Sequence, residues 1–160
     1  MVNRICVFLL VLAWSALVQA GPKEDALAAY DKFFTSFTTA NHDQIAGLFA
    51  PDAHVYGTAS IELVTNNPEA VRTYFMGGLS GPSDVRARPL GNTALELSSN
   101  VVIISGKWQS ERTLDGKTTI SGPWRNTVVM QKRGDRWLIV QFHNSATPKP
   151  AATPPTAPAR

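Results

Sequence analysis

Thiols and imidazoles are scarce in this chain: among 160 residues there is one cysteine, Cys6, and there are three histidines. Cys6 lies in an apolar run at the start, so removing that run would leave no thiol. Disulfides, thiolate metal sites and cysteine nucleophiles would then be excluded together. Charge is sparse as well, at 17% of residues with a formal net charge of +3. The basic residues are scattered rather than striped, which argues against a nucleic-acid partner. The short cluster Lys132-Arg133 with Arg136 reads as a hairpin turn kept in water. His42 and His54 stand at no metal-ligand spacing from His143, and no serine is framed as a nucleophile elbow. Neither a metal nor a cofactor is expected.

The two ends differ from the middle. Met1-Val2-Asn3-Arg4 is followed by apolar residues from Ile5 to Val18 and a small-residue exit at Val18-Gln19-Ala20. That stretch falls short of the ~20 residues of a spanning helix and matches a secretory signal. Residues 1–20 are therefore expected to be a signal peptide cleaved before Gly21, giving a periplasmic or secreted protein with no membrane partner. Residues 148–160 are Pro- and Ala-rich, too polar and too small to bury a core, and read as a disordered tail. Residues 21–147 remain for one domain.

Within that domain, Leu27, Tyr30, Phe33, Phe34 and Phe37 recur at helical spacing over 24–40. Asn41 suits the end of that helix. Asp43 suits the cap of a short second one carrying Ile45, Leu48 and Phe49 up to Pro51. Ala53 to Gly57 reads as a loop or short strand. Asn67-Pro68-Glu69 predicts the start of a third helix, ending at Gly77-Gly78. Past Pro82 the period becomes that of strands: Val85 to Pro89, Ala94 to Leu97, Val101 to Arg112, Thr118 to Gln131 and Arg136 to Asn144. Asp115-Gly116 and Gly134-Asp135 supply turns. Helices followed by hairpins predict an α+β fold. Val101-Val102-Ile103-Ile104 and Trp137-Leu138-Ile139-Val140 are apolar on both faces, so a second cover is expected on the sheet.

The final stretch from Val128 to Pro148, with its charged turn, Trp137, an apolar strand and the exit His143-Asn144-Ser145 to Pro148, resembles the last hairpin of a known family. It is similar to the calcium/calmodulin-dependent protein kinase II association domains and their bacterial SnoaL-like relatives, of the nuclear transport factor 2-like superfold. Ala50-Pro51-Asp52 and the stretch from Asn67 to Phe75 fit the same pattern. The resemblance implies a cone: a curved, mainly antiparallel (mixed) sheet wrapped by three N-terminal helices, a pocket at the open end, and assembly through the outer face of the sheet. In the kinase family the domain is a non-catalytic hub that binds small carboxylates through basic pocket residues. Here those positions fall on Val71, Val128 and Asn144, so that constellation does not carry over.

Candidate chemistry rests on few side chains. His143 is the candidate catalytic group, as a general base, and is expected on the same strand face as Gln141, Ile139 and Trp137; a structural anchor is the alternative. Arg125 offers forked donors to a carboxylate or phosphate, or pairs with an internal acid. Trp108, Tyr30, Tyr56 and Tyr74 suit an apolar pocket with hydroxyl handles, although Tyr30 and Tyr74 also suit a core. Asn144 completes the ligand-binding candidates. Asp31, Asp52 and Glu62 are the nearest carboxylates, and none stands in a catalytic motif. Two functions follow as expectations. One is a homodimeric or larger module holding a small apolar or weakly acidic molecule. The other is a cofactor-independent isomerase, dehydratase or hydrolase using His143 with a carboxylate.

Overall fold

The computed structural model describes residues 20–58, 60–65, 67–79 and 84–148. Residues 1–19 of the expected signal and 149–160 of the expected tail lie outside them. Helix α1 (Pro22–Thr38) begins with proline at its first turn, where no donor is wasted, and carries Glu24 and Asp25 beside the positive end of the helix dipole. Ala26, Tyr30, Phe33 and Phe34 form its buried stripe. The chain then turns at Ala40, which takes a left-handed φ of 51°.

Asn41 does not end α1 but opens α2 (His42–Ala46): its Oδ1 accepts from Gln44 N at 2.9 Å. That helix stops at Ala46, short of Pro51, because the next apolar residues are used by a strand, β1 (Phe49–Tyr56). Ile139 N donates to Leu48 O at 2.8 Å, and Phe49 stands in register with Ile139, which draws this segment onto the sheet. After the short β2 (Val64–Thr65), α3 (Pro68–Leu79) is capped by Asn67, whose Oδ1 accepts from Glu69 N at 2.9 Å. Among the described residues, no helix is long and apolar enough to cross a membrane.

Four long strands complete the chain: β3 (Asp84–Ser98), β4 (Val101–Leu114), β5 (Lys117–Arg133) and β6 (Arg136–Ala146). The two short strands expected at 85–89 and 94–97 are one, β3, with a bulge between Pro89 and Gly91. Proline cannot donate to a ladder, and it is tolerated because β3 is an edge strand. The sheet order is β2-β1-β6-β5-β4-β3, with β1 and β6 parallel and every other pair antiparallel. The sheet is mixed and not closed, as the cone resemblance implies. The β4–β5 turn is left-handed at both Asp115 (φ 50°) and Gly116 (φ 73°), the geometry that matches strand twist.

Helix α1 packs on β3, β4 and β6, and its aromatic stripe fills the concave side of the sheet. Phe33 lies against Phe142 (5.4 Å between centroids), Phe75 (5.6 Å) and Trp108 (6.4 Å), so one ring joins β6, α3 and β4. A polar contact is sealed deep in this core, between α1 and β5. Asn126 Nδ2 donates to Tyr30 Oη at 3.2 Å, and Asn126 Oδ1 has no partner. Burial pushes the Tyr30 phenol far above its usual pKa, with Asp31 adding to the shift, so the group stays protonated. At the surface, Arg133 forks onto Asp52 at 2.6 and 3.0 Å, tying the β5–β6 hairpin to β1. That bond holds the Asp52 carboxyl below its usual pKa.

The Tyr30–Asn126 contact generates a stability prediction. Tyr30→Phe strands both ends of the Asn126 amide in the core and should cost about 1–3 kcal/mol in urea unfolding. The double variant Tyr30→Phe/Asn126→Val removes the stranded amide as well and should regain most of that loss. A neutral Tyr30→Phe would contradict the assignment.

Candidate functional site

Strand alternation assigns every residue of β6 to the interior or the exterior, and one irregularity decides the outcome. Met130 pairs with Ile139 while the adjacent Val129 pairs with Gln141, so Val140 is an extra residue in β6. A bulge of this kind inverts the side-chain phase downstream. Trp137 and Ile139 face the interior before it, and Phe142 and Asn144 face the interior after it. His143 is therefore exposed on the outer face, away from the face it was expected to share with Ile139 and Trp137. Its row contains Thr127 on β5 and Tyr56 on β1, with the Tyr56 ring 6.3 Å from the imidazole. Arg125 is exposed too, in register with Lys107 and Ser145. These groups do not converge inside a cone, and among the described residues no hydrogen bond joins His143 to a carboxylate.

The interior receives a different set. A cleft of about 440 Å³ opens between α3 and the concave sheet, lined by Phe37, Thr58, Thr73, Tyr74, Phe75, Gly77, Trp108, Ser110, Trp124, Phe142 and Asn144. Three expected ligand-binding residues, Trp108, Tyr74 and Asn144, lie there together. Tyr30 is fully buried in the core, and Tyr56 is exposed on the outer face with His143. Trp108 and Asn144 are joined directly: the indole Nε1 donates to Asn144 Oδ1 at 3.0 Å, reaching across β5 from β4 to β6. Tyr74 leans over Gly57, where any side chain would collide with the phenol. Only glycine accommodates that approach.

The cleft is mainly apolar, with polar groups from Thr58, Thr73, Tyr74, Ser110 and Asn144. None of its lining residues is Asp, Glu, Lys, Arg or His. Asp31, Asp52 and Glu62 are exposed elsewhere, Asp52 being engaged by Arg133. Among the described residues, no group of three or more His, Cys, Asp or Glu stands close enough to hold a metal ion.

Trp124 is the main lining residue that the sequence reading passed over. It lies opposite Trp108, with ring centroids 6.5 Å apart. Thr113 pairs with Thr118 beside the turn, and counting outward from there sets Trp108 opposite Pro123. A bulge at Gly122-Pro123 shifts the pairing by one and brings Trp124 inward instead. The glycine at position 122, with φ 114°, was the available signal.

Comparison with known proteins places this geometry. Several solved structures share the fold. A Xanthomonas campestris protein assigned as a calcium/calmodulin dependent protein kinase II association domain is 26% identical, with a TM-score of 0.70 over 82% of this chain and 94% of that one. The hub homology domain of the corresponding kinase from Chlamydomonas reinhardtii is 17% identical, with a TM-score of 0.65 over 78% of this chain and 97% of that one. A nuclear transport factor 2-like protein from Streptomyces avermitilis assigned as a dehydratase is 10% identical, with a TM-score of 0.68 over 79% of this chain and 97% of that one. No curated protein sequence matches. The SnoaL-like domain model matches residues 26–149, and with a mixed sheet wrapped by helices in the nuclear transport factor 2-like manner, this chain belongs to the SnoaL-like domain family.

Proposed function

We propose that this chain is an exported, self-associating domain that takes a small, uncharged and largely apolar molecule into the interior cleft. The observation that carries this reading is the cleft lining: Trp108, Trp124, Tyr74 and Phe142 surround one oriented carboxamide, with no charged side chain. Apolar walls with a few placed polar groups are the usual make-up of a small-ligand site. A weakly acidic ligand fits less well, because the cation expected to receive it, Arg125, faces outward.

Self-association is supported by the outer face of the sheet. Leu95, Ile103 and Val129 stand in one cross-strand row there, with Leu95 58% exposed. Covering one large aliphatic side chain contributes about 1.5–3 kcal/mol, so a second copy laid on this row would gain several such terms. The Xanthomonas and Chlamydomonas relatives, described as association and hub domains, favour the same arrangement. Export rests on the sequence of residues 1–20 alone. The dehydratase assignment of the Streptomyces relative raises an enzymatic alternative. Proton abstraction most often uses an imidazole or a carboxylate, and the cleft lining supplies neither, the Tyr74 phenol being its titratable side chain.

Native mass spectrometry of protein from an exporting host reads all three parts. The expected species is an oligomer of chains beginning at Gly21 that retains a small neutral molecule. A bare monomer that keeps Met1 would contradict the reading.

A blocking substitution tests the cleft itself. A Cβ built at Gly77 meets nothing within 4 Å and Gly77 lines the cleft, so Gly77→Phe is expected to narrow the cleft without displacing the core. Replacing a helical glycine should leave stability unchanged or raise it by up to about 1 kcal/mol. Ligand retention should be lost in Gly77→Phe and kept in His143→Gln and Arg125→Ala. The reverse pattern would move the site to the outer face.

A further inference from the structure

The orientation of one carboxamide limits what the cleft can hold. An indole N–H can only donate, so the Asn144 atom 3.0 Å from Trp108 Nε1 must be Oδ1, and the amide cannot be flipped. This leaves Asn144 Nδ2 with two donor hydrogens. Among the described residues the Asn144 side chain makes no second hydrogen bond, and Nδ2 is not one of the sealed polar atoms that lack a partner. It is therefore open to the cleft that Asn144 lines. Around it stand the rings of Trp108, Trp124, Tyr74 and Phe142.

We infer that the ligand is a neutral, flat molecule whose carbonyl oxygen (ketone, ester or lactone) accepts from Asn144 Nδ2 while its unsaturated body lies against Trp108 and Trp124. The inference rests on the reading of the cleft as the ligand site and adds the class of ligand. A carbonyl is matched because Asn144 Nδ2 can only donate and so needs an acceptor, whereas the hydroxyls of Thr58, Thr73 and Ser110 in the lining can turn to donate or accept. A carboxylate is selected against, since no cation faces the cleft to compensate the loss of its hydration. The bond from Trp108 gives the site its pre-organisation: with Oδ1 held, the donor hydrogens point one way before the ligand arrives.

Three probes of nearly the same shape isolate the donor. 2-Acetylnaphthalene carries the carbonyl, 2-isopropenylnaphthalene replaces that oxygen with a CH₂ group, and 2-naphthoate replaces the ketone with an anion. Dissociation constants come from NMR titration of the unmodified protein, followed on the tryptophan indole resonances. The ketone should bind about 3- to 10-fold tighter than the hydrocarbon, the range that one net hydrogen bond supplies, and the naphthoate should bind weakest. Asn144→Asp keeps an acceptor for Trp108 and removes the donor, so it should erase the preference for the ketone. Equal binding of ketone and hydrocarbon to the unmodified protein overturns the inference and leaves the cleft reading standing. A ketone preference that survives in Asn144→Asp also overturns it. Failure of all three probes to bind overturns the cleft reading itself.

Discussion

A single extra residue, Val140, governs which side chains of β6 this domain turns into its interior. Without the bulge, alternation from Ile139 would bring His143 inward together with Gln141, and would turn Phe142 and Asn144 to the outside. With it, Phe142 closes on Phe33 at 5.4 Å and Asn144 receives the Trp108 indole at 3.0 Å. The interior gains a ring and a carboxamide and gives up an imidazole. A bulge costs a ladder bond and is kept where it re-aims a side chain. Here the re-aimed pair belongs both to the core and to the cleft, so core packing and the cleft lining depend on the same register shift.

The cleft itself is a continuation of the aromatic core rather than a separate feature. Tyr30, Phe33, Phe34 and Phe37 form one stripe of α1, and its last ring reaches the cleft wall beside Trp108, with centroids 5.3 Å apart. From α3 come Tyr74 and Phe75, and Tyr74 can approach only because position 57 lacks a side chain. Offset and edge-on ring contacts hold these walls in fixed relative positions. The result is a rigid, mainly apolar wall that carries one oriented carboxamide, and the titratable side chain among its lining residues is the Tyr74 phenol.

Much of the fold was legible in the sequence because it is written in periodicity. The stripe of α1, the Asn67-Pro68 start of α3 and the Asp115-Gly116 turn each follow from local stereochemistry. The strands that are apolar on both faces were legible too, and Val101 and Ile103 do lie half-buried on the side away from the core. The departures share a cause. Phe49 reads as a helix residue until its pairing with Ile139 in a distant strand is known. His143 reads as an interior group, and Trp124 goes unremarked, until the bulges at Val140 and Gly122-Pro123 are counted. Strand register is a long-range property, and one residue of slip exchanges the two faces. Residue types were therefore easier to anticipate than the directions in which they point. Trp108, Tyr74 and Asn144 reached the cleft, whereas Arg125, Tyr56 and His143 went to the exterior.

The central claim is that the working surface is the interior cleft and not the His143 face. The most direct measurement is a ¹⁵N NMR titration of ligand-free protein with the molecule extracted from freshly purified material. The account predicts shifts at the Trp108 and Trp124 indole N–H groups and at the Asn144 side-chain amide. The Trp137 indole, at the far end of the sheet, and the backbone amides of Lys107 and Arg125 should stay in place. Perturbation centred on His143, Tyr56 and Arg125, with the Trp108 and Asn144 signals unmoved, would contradict it.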